Sequence, residues 1–148
     1  MAVSDDELLE RYPGYAIDHD TKEQWRAFLD RRLLVDRCQD CGYRFDPPRP
    51  MCPKCWSAKI EPEDVRGTGR IQWFTLLHQG HPAASPEHPY PVAVIELDDQ
   101  PGLRMDATIV ECDPSDVSCD MAVELVWTGD ADAPLPAWRP ADPAIRNG

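Results

Sequence analysis

Apolar and polar residues alternate along the second half of the chain, with the period of two that is typical of half-buried β-strands. The alternation covers residues 103–109 and 123–127, and the segments 71–77 and 92–97 are dense in β-branched and aromatic residues. Turns rich in Gly, Pro and Asp separate these segments and leave no room for crossover helices. The pattern therefore predicts an antiparallel barrel or sandwich, and a five-stranded Greek-key barrel of the OB type suits the length.

A helical period marks the N-terminal part of the chain. Trp25, Phe28 and Leu29 are spaced by three and four residues, which places them on one face of a helix. Thr21 and Gln24 have the spacing of a capping box, which predicts that the helix begins after Thr21. An acidic arm precedes this helix. We expect its aromatic face to be buried, against the rest of the chain or against a second protein.

The C-terminal segment 131–148 contains four prolines, which lack the N–H group that helices and sheets use. We therefore expect a tail without regular structure and with partial disorder after Trp138. The ring of Trp138 would pack on the barrel or on a partner.

Four cysteines form two Cys-x-x-Cys pairs with ten residues between them: Cys38, Cys41, Cys52 and Cys55. Thiolates at this spacing predict two tight turns, or knuckles, that hold one tetrahedral metal ion. Gly42 directly after the first pair would permit a left-handed turn. We expect structural zinc in a closed site. The alternatives are a rubredoxin-like iron centre that carries electrons, and a disulfide framework.

These features divide the chain into four predicted parts. They are an N-terminal arm and helix at 1–33, a zinc ribbon at 34–60, an OB-fold at 61–130 and a Pro-rich tail at 131–148. The predicted fold class is thus mainly β, with an N-terminal helix and a rubredoxin-like ribbon before a five-stranded barrel. Because the ribbon has too few apolar residues for its own core, metal binding would supply its folding free energy.

The remaining chemically interesting residues predict no catalytic site. His78, His81 and His88 share one loop, which we interpret as polar and as a candidate for ligand or partner contact. Cys112 and Cys119 are interpreted as small apolar fillers. No nucleophilic elbow, Gly-rich phosphate loop or zinc-protease motif occurs, so we assign no catalytic residue and expect a binding or assembly module.

Charge is distributed unevenly along the chain. The formal net charge of −12 argues against nucleic acid as a partner, since that binding depends on neutralising phosphates. Nine of the fifteen basic residues lie between positions 31 and 70, around the cysteines. This region is either a solvated surface or a patch that faces a phosphorylated ligand or an acidic partner. Without a leader or a membrane-spanning apolar run, we expect a cytoplasmic protein.

Several segments, together with the helix that contains Trp25, match the pattern of a known family: 33–38, 41–42, 47–49, 52–55, 67–69, 89–94 and 121–124. With its order of helix, knuckles and barrel, the chain resembles the family that joins a rubredoxin-like zinc ribbon to a C-terminal OB-fold and is associated with acyl-CoA metabolism. One departure is Asp120, which stands where relatives tend to have Gly and leaves the turn there and the register of the following strand open.

The resemblance implies a small subunit beside a thiolase-like or lipid-transfer-protein-like enzyme, in a two-plus-two complex. Such complexes cleave acyl-CoA thioesters, steroid side chains among them, by retro-aldol or thiolytic chemistry, and the catalytic residues would lie on the partner. Because coenzyme A carries phosphates, we expect Arg44, Arg49 and Lys54 to lie near the CoA entrance or the partner surface. The alternatives are a partner for a hydratase-like subunit and a free-standing acyl-CoA-binding or regulatory protein.

Overall fold

The computed structural model describes residues 2–141, which form two helices and eight strands. Contacts divide the chain into two compact units. One holds residues 2–65 together with Trp127–Pro136, and the other holds Arg66–Val126 and residues 137–141. Within the described residues, no helix is long and apolar enough to cross a membrane. In chain order the elements are α1 (Asp5–Arg11), α2 (Lys22–Leu29), β1 (Leu34–Cys38), β2 (Arg44–Phe45), β3 (Ile60–Asp64), β4 (Thr68–Leu77), β5 (Tyr90–Leu97), β6 (Arg104–Thr108), β7 (Ala122–Asp130) and β8 (Ala133–Pro140).

Helix α2 forms where the apolar spacing predicts it, but the predicted capping box is wrong. The side chain of Thr21 makes no bond to the helix. Instead the carboxylate of Asp18 accepts from both the N–H and the hydroxyl of Thr21, at 2.9 and 2.8 Å. A cap requires the hydroxyl oxygen of Thr21 as an acceptor, and that oxygen accepts from the N–H of Asp18 at 3.1 Å instead of from the helix. Gln24 is likewise engaged elsewhere, because its amide donates to the carbonyl of Leu34 at 3.0 Å.

The acidic arm contains α1, a helix that the apolar pattern does not predict. Its N-terminus is capped by Ser4, whose hydroxyl accepts from the N–H of Glu7 at 3.2 Å. The apolar face of α2 is buried within the same unit. The ring of Trp25 lies 4.9 Å from that of Tyr12 and 5.1 Å from that of Phe28, which is 7% exposed.

The ribbon is a three-stranded antiparallel sheet in the order β2–β1–β3. Strand β1 pairs with β3 from Leu34 opposite Asp64 to Cys38 opposite Ile60. Strand β1 pairs with β2 through two residues of each strand, with Asp36 opposite Phe45 and Arg37 opposite Arg44. Its core is small and consists of Cys38, Phe45 and Cys52, with Tyr43 and Ile60 packed against them. Such a core supplies little hydrophobic stabilisation, which is why the metal site matters to this sheet.

The second sheet has the order β6–β5–β4–β7–β8 and confirms the predicted five-stranded barrel. Its ends approach each other through a parallel bridge between Ile109 and Trp138, where the N–H of Val110 donates to the carbonyl of Trp138 at 2.8 Å. The sheet is therefore nearly closed on itself. Five bulky side chains in the second unit are no more than 1% exposed and fill its interior: Ile71, Ile95, Leu97, Val123 and Trp138.

The prediction of an irregular C-terminal tail is wrong for Ala133–Pro140, which form strand β8. Its prolines occur at even-numbered positions, whereas the N–H that donates to Ala122 of β7 belongs to Ala141. Since successive N–H groups of a strand point to opposite sides, the missing donors all fall on the side away from β7. Partial disorder after Trp138 is wrong for Arg139 and Pro140, and residues 142–148 lie outside the described residues.

Two positions in the second sheet and its turns depend on an unusual backbone conformation or a close contact. Asp120 adopts φ of +65°, the conformation that a glycine would take in this turn, and its N–H donates to the carbonyl of Ile71 at 2.7 Å. The turn thus forms with Asp in place of Gly. Gly69 pairs with both β5 and β7, and a Cβ there would lie 2.5 Å from the carbonyl oxygen of Glu96. Only glycine permits this close approach.

Candidate metal centre

The four predicted cysteines come together at one end of the ribbon. Their Sγ atoms all lie within 4.8 Å of one another, and in the part of the chain that the structure describes they are the one such cluster of metal-binding side chains. The Sγ atoms of Cys38 and Cys55 are 3.5 Å apart, and those of Cys41 and Cys52 are 3.7 Å apart. Cys38 and Cys52 are buried, whereas Cys41 and Cys55 are exposed.

These distances suit a tetrahedral zinc ion. Four sulfurs at the usual Zn–S distance of about 2.3 Å lie about 3.8 Å apart, close to the separations found here. Thiolates are also the ligands that zinc prefers. The N–H of Cys41 points at the sulfur of Cys38 and lowers the pKa of that thiol to about 6. At Cys55 the N–H of Ser57 lowers the pKa, but burial and hydrogen bonds from the other cluster thiols outweigh it and raise the pKa of that thiol to about 12. The surroundings therefore favour the ionised form at Cys38 but not at Cys55. Occupied by four thiolates, the site has no open position for water or substrate.

The backbone of each knuckle repeats the same turn. The N–H of Gly42 donates to the carbonyl of Cys38 at 2.9 Å, and the N–H of Trp56 donates to that of Cys52 at 3.0 Å. Both donors have a left-handed backbone, with φ of +76° at Gly42 and +64° at Trp56. Glycine adopts this conformation freely, but in a bulky residue it costs roughly 1–3 kcal/mol. Trp56 is not among the residues predicted from the sequence. Its only sequence signal is that it follows Cys55 as Gly42 follows Cys41.

The three basic residues predicted to face a ligand or partner lie in different surroundings within the ribbon. Arg44 donates to the carboxylate of Glu63, which also accepts from Arg37 at 3.1 Å. Arg49 and Lys54 are exposed and have no ion-pair partner within residues 2–141. The Nζ of Lys54 lies 5.6 Å from the centre of the Tyr43 ring.

Much of the basic region is neutralised internally. Arg44, and more weakly Arg37, hold the pKa of Glu63 below its ordinary value because both guanidinium groups favour the ionised carboxylate. Arg32 forms a two-pronged pair with Asp64, and Lys59 pairs with Asp40. Glu63 was missed by sequence reasoning. The signal that could have found it is the pairing of β3 with β1, which places Glu63 opposite Val35 and beside Arg37.

The other residues considered from the sequence belong to the second unit and are not part of the cysteine cluster. In the histidine loop, the ring of His81 stacks on Tyr90 at 4.0 Å and accepts from the N–H of Ala83, so that the loop is locally ordered by its own contacts. The prediction that Cys119 is an apolar filler is wrong, because its side chain is exposed in the turn before β7. Cys112 is half-buried.

Comparison with known proteins places both parts of the chain in one family. The family model described as "ChsH2, rubredoxin-like zinc ribbon domain" matches residues 25–61, and that described as "ChsH2, C-terminal OB-fold domain" matches residues 62–128. A "DUF35 domain-containing scaffold protein" of Methanocaldococcus jannaschii is 36% identical over 106 residues, which is 70% of this chain and 73% of that protein. The chain belongs to the DUF35 family, in its ChsH2-like form. The resemblance noted from the sequence is confirmed.

Solved structures agree with this assignment. A chain of the "Ltp2-ChsH2(DUF35) aldolase" superposes with a TM-score of 0.77 at 34% identity, covering 86% of this chain and 99% of that one. A DUF35 protein of unknown function from Sulfolobus solfataricus has a TM-score of 0.57 at 17% identity over 80% of this chain and 84% of that one, which shows the shared fold alone.

One relative is much longer than this chain. The "Probable enoyl-CoA hydratase alpha subunit" of Thermomonospora curvata is 35% identical over 133 residues, which make up 88% of this chain and 40% of that protein. This DUF35 chain therefore spans about two fifths of that relative's length.

Proposed function

We propose that this DUF35 protein is a non-catalytic accessory subunit of a thiolase-like, acyl-CoA-processing enzyme. The observation that carries the proposal is the match to nearly the whole of one chain of the Ltp2–ChsH2 aldolase. The partner would carry the catalytic residues for retro-aldol or thiolytic cleavage of an acyl-CoA, a steroid side chain being the example implied by the family. A two-plus-two assembly in the cytoplasm belongs to the same proposal.

The chemistry of the ribbon supports a structural role for its metal. Zinc in the four-cysteine site would crosslink the two knuckles, and the closed ligand set gives it no substrate position. What this chain contributes is then a rigid ribbon and a nearly closed barrel that together stabilise the partner and help to shape an acyl-CoA site.

Within this proposal, Arg49 and Lys54 are the better candidates for contact with CoA phosphates or with the partner. Both are exposed, whereas Arg44 shares its charge with Glu63. Charge reversal at Arg49 or Lys54 is expected to weaken the complex or its acyl-CoA affinity. Reversal at Arg44 would also break the pair with Glu63, so a loss there is informative only when the ribbon is shown to remain folded.

Co-expression with a thiolase-like enzyme encoded beside this protein tests the proposal. We expect a stable complex by size-exclusion chromatography with light scattering, and cleavage of an acyl-CoA that neither chain performs alone. A Cys119→Ser variant serves as a handling control, since it removes an exposed thiol that is not part of the cysteine cluster. Two chains that elute separately and show no shared activity would refute the accessory role.

A hydratase-like subunit is the second candidate partner, and the name of the Thermomonospora curvata relative favours it. The same co-expression with a hydratase-like subunit, followed by hydration of an enoyl-CoA, separates the two candidates. Elemental analysis addresses the electron-carrier alternative. We expect colourless protein with one zinc per chain, whereas red protein containing iron would favour electron transfer.

A further inference from the structure

Trp56 is an exposed aromatic residue on the second knuckle. Its side chain is 74% exposed, the largest exposed fraction among the bulky apolar residues of the described chain. Its left-handed φ of +64° is the conformation that Gly42 supplies at the equivalent position of the first knuckle. Packing therefore does not explain the Trp, and the backbone would be better served by glycine. A bulky residue that strains the backbone and buries little of its own side chain indicates a contact with another molecule.

We call the exposed residues of the second knuckle segment, positions 51–56, that carry an apolar or basic side chain the knuckle surface: Met51, Lys54 and Trp56. Met51 is 44% exposed immediately before Cys52, and Lys54 is exposed as well. Thioether and indole groups are typical of adaptable and tightly packed protein contacts, respectively. Lys54 adds a positive charge to this apolar surface, although the chain outside residues 31–70 is strongly acidic, whereas the nearby Lys59 is already paired with Asp40.

The knuckle is also rigid before any partner arrives. The N–H of Trp56 is bonded to the carbonyl of Cys52, and the N–H of Cys52 donates to the carbonyl of Ser57 at 2.9 Å. Since Cys52 and Cys55 are also cluster ligands, the turn that presents Trp56 is held from both sides. A preorganised aromatic residue loses little conformational entropy on docking, which makes it an efficient anchor.

We propose that the knuckle surface docks onto the partner enzyme, with Trp56 inserted in an apolar pocket whose rim carries acidic side chains. This inference rests on the proposed function and names the surface that performs it. Charge complementarity identifies the occupant, because Lys54, which is exposed and has no ion-pair partner within residues 2–141, would face a carboxylate at the pocket rim.

Trp56→Gly tests the docking role against a structural one, because the two roles predict opposite effects. We expect the variant to bind zinc as before and to keep or raise its Tm, since glycine relieves the left-handed strain. Its affinity for the partner, measured by calorimetry with the purified thiolase-like enzyme, should fall about 30-fold or more, as for an aromatic hot spot. Trp73→Ala is the matched control, since Trp73 is also exposed but lies on barrel strand β4.

A second pair of variants tests the acidic rim. Lys54→Glu should weaken partner binding and reduce its sensitivity to salt, whereas Lys54→Arg should retain it. If the wild-type chain and Trp56→Gly bind the partner enzyme with equal affinity, the knuckle surface does not contact the partner, and the accessory role is unaffected. Zinc loss or a lower Tm in Trp56→Gly, or an equal affinity loss in Trp73→Ala, would also overturn the inference. A wild-type chain that does not bind removes the accessory role and the dock together.

Discussion

Replacing Trp138 by Ala tests whether strand β8 truly closes the barrel. Trp138 is 1% exposed, and its carbonyl accepts from Val110 beside the bridge to Ile109. Trp73 provides a matched substitution within the same barrel, because its side chain is 54% exposed on β4. Both substitutions remove an indole from a strand, so their common loss of β-propensity cancels in the comparison.

The expected magnitudes follow from burial. A buried Trp removes roughly 150–250 Å² from water, which at about 25 cal/mol per Å² corresponds to about 4–6 kcal/mol as an upper estimate. Truncations of this kind lower the free energy of unfolding by about 3–5 kcal/mol. The same accounting for Trp73, with about half of its surface already exposed, gives roughly 2–3 kcal/mol as an upper estimate.

Urea unfolding of the zinc-loaded protein, followed by far-UV circular dichroism, measures this difference without relying on Trp fluorescence. We expect the midpoint of Trp138→Ala to fall well below that of Trp73→Ala, at an unchanged denaturant slope. Equal midpoints for the two variants would show that Trp138 is not packed in the barrel, and the assignment of β8 as its closing strand would be wrong.

Two further substitutions address the barrel centre and the ribbon. Gly69→Ala should lower the free energy of unfolding by about 3 kcal/mol, because the new Cβ would lie 2.5 Å from the carbonyl oxygen of Glu96. Gly80→Ala, where φ is +85° and nothing lies within 4 Å, should cost only about 1–2 kcal/mol in the same urea assay, and equal costs would contradict the close approach. Cys38→Ser should abolish stoichiometric zinc in elemental analysis and lower partner affinity while the barrel keeps its β-sheet signal, whereas full zinc and full affinity would refute a metal-held ribbon.

The strands of the barrel could be predicted because their signals are local. Alternation at 103–109 and 123–127 reports one buried face directly, and β6 and β7 lie there. The cysteine spacing likewise contains the ligand set in a short segment. Strand β8 could not be recognised in this way, since the prolines that argue against a strand are harmless at an edge whose N–H groups are not needed. Recognising β8 requires knowing that β7 is its neighbour and which N–H groups of β8 point toward it.

The misses near the N-terminus and in the ribbon have different physical causes. Helix α1 buries only Leu8, so it shows no apolar stripe, although Ser4 and Glu7 have the spacing of a real cap. The ion pairs of Glu63 depend on strand pairing that no local pattern reports. Trp56 is ordinary as a residue type, and its left-handed backbone becomes visible only in the fold.

The bridge between Ile109 and Trp138 also sets an order of assembly during synthesis. Every strand pair of the ribbon lies between Leu34 and Asp64, so these contacts can form as soon as that segment leaves the ribosome. The barrel contact must wait until position 138 has been made. Because contacts between distant positions form more slowly than local ones, we expect the nascent chain to acquire its metal while the barrel is still open. The availability of zinc during synthesis would then affect the ribbon, the part of the molecule that folds first.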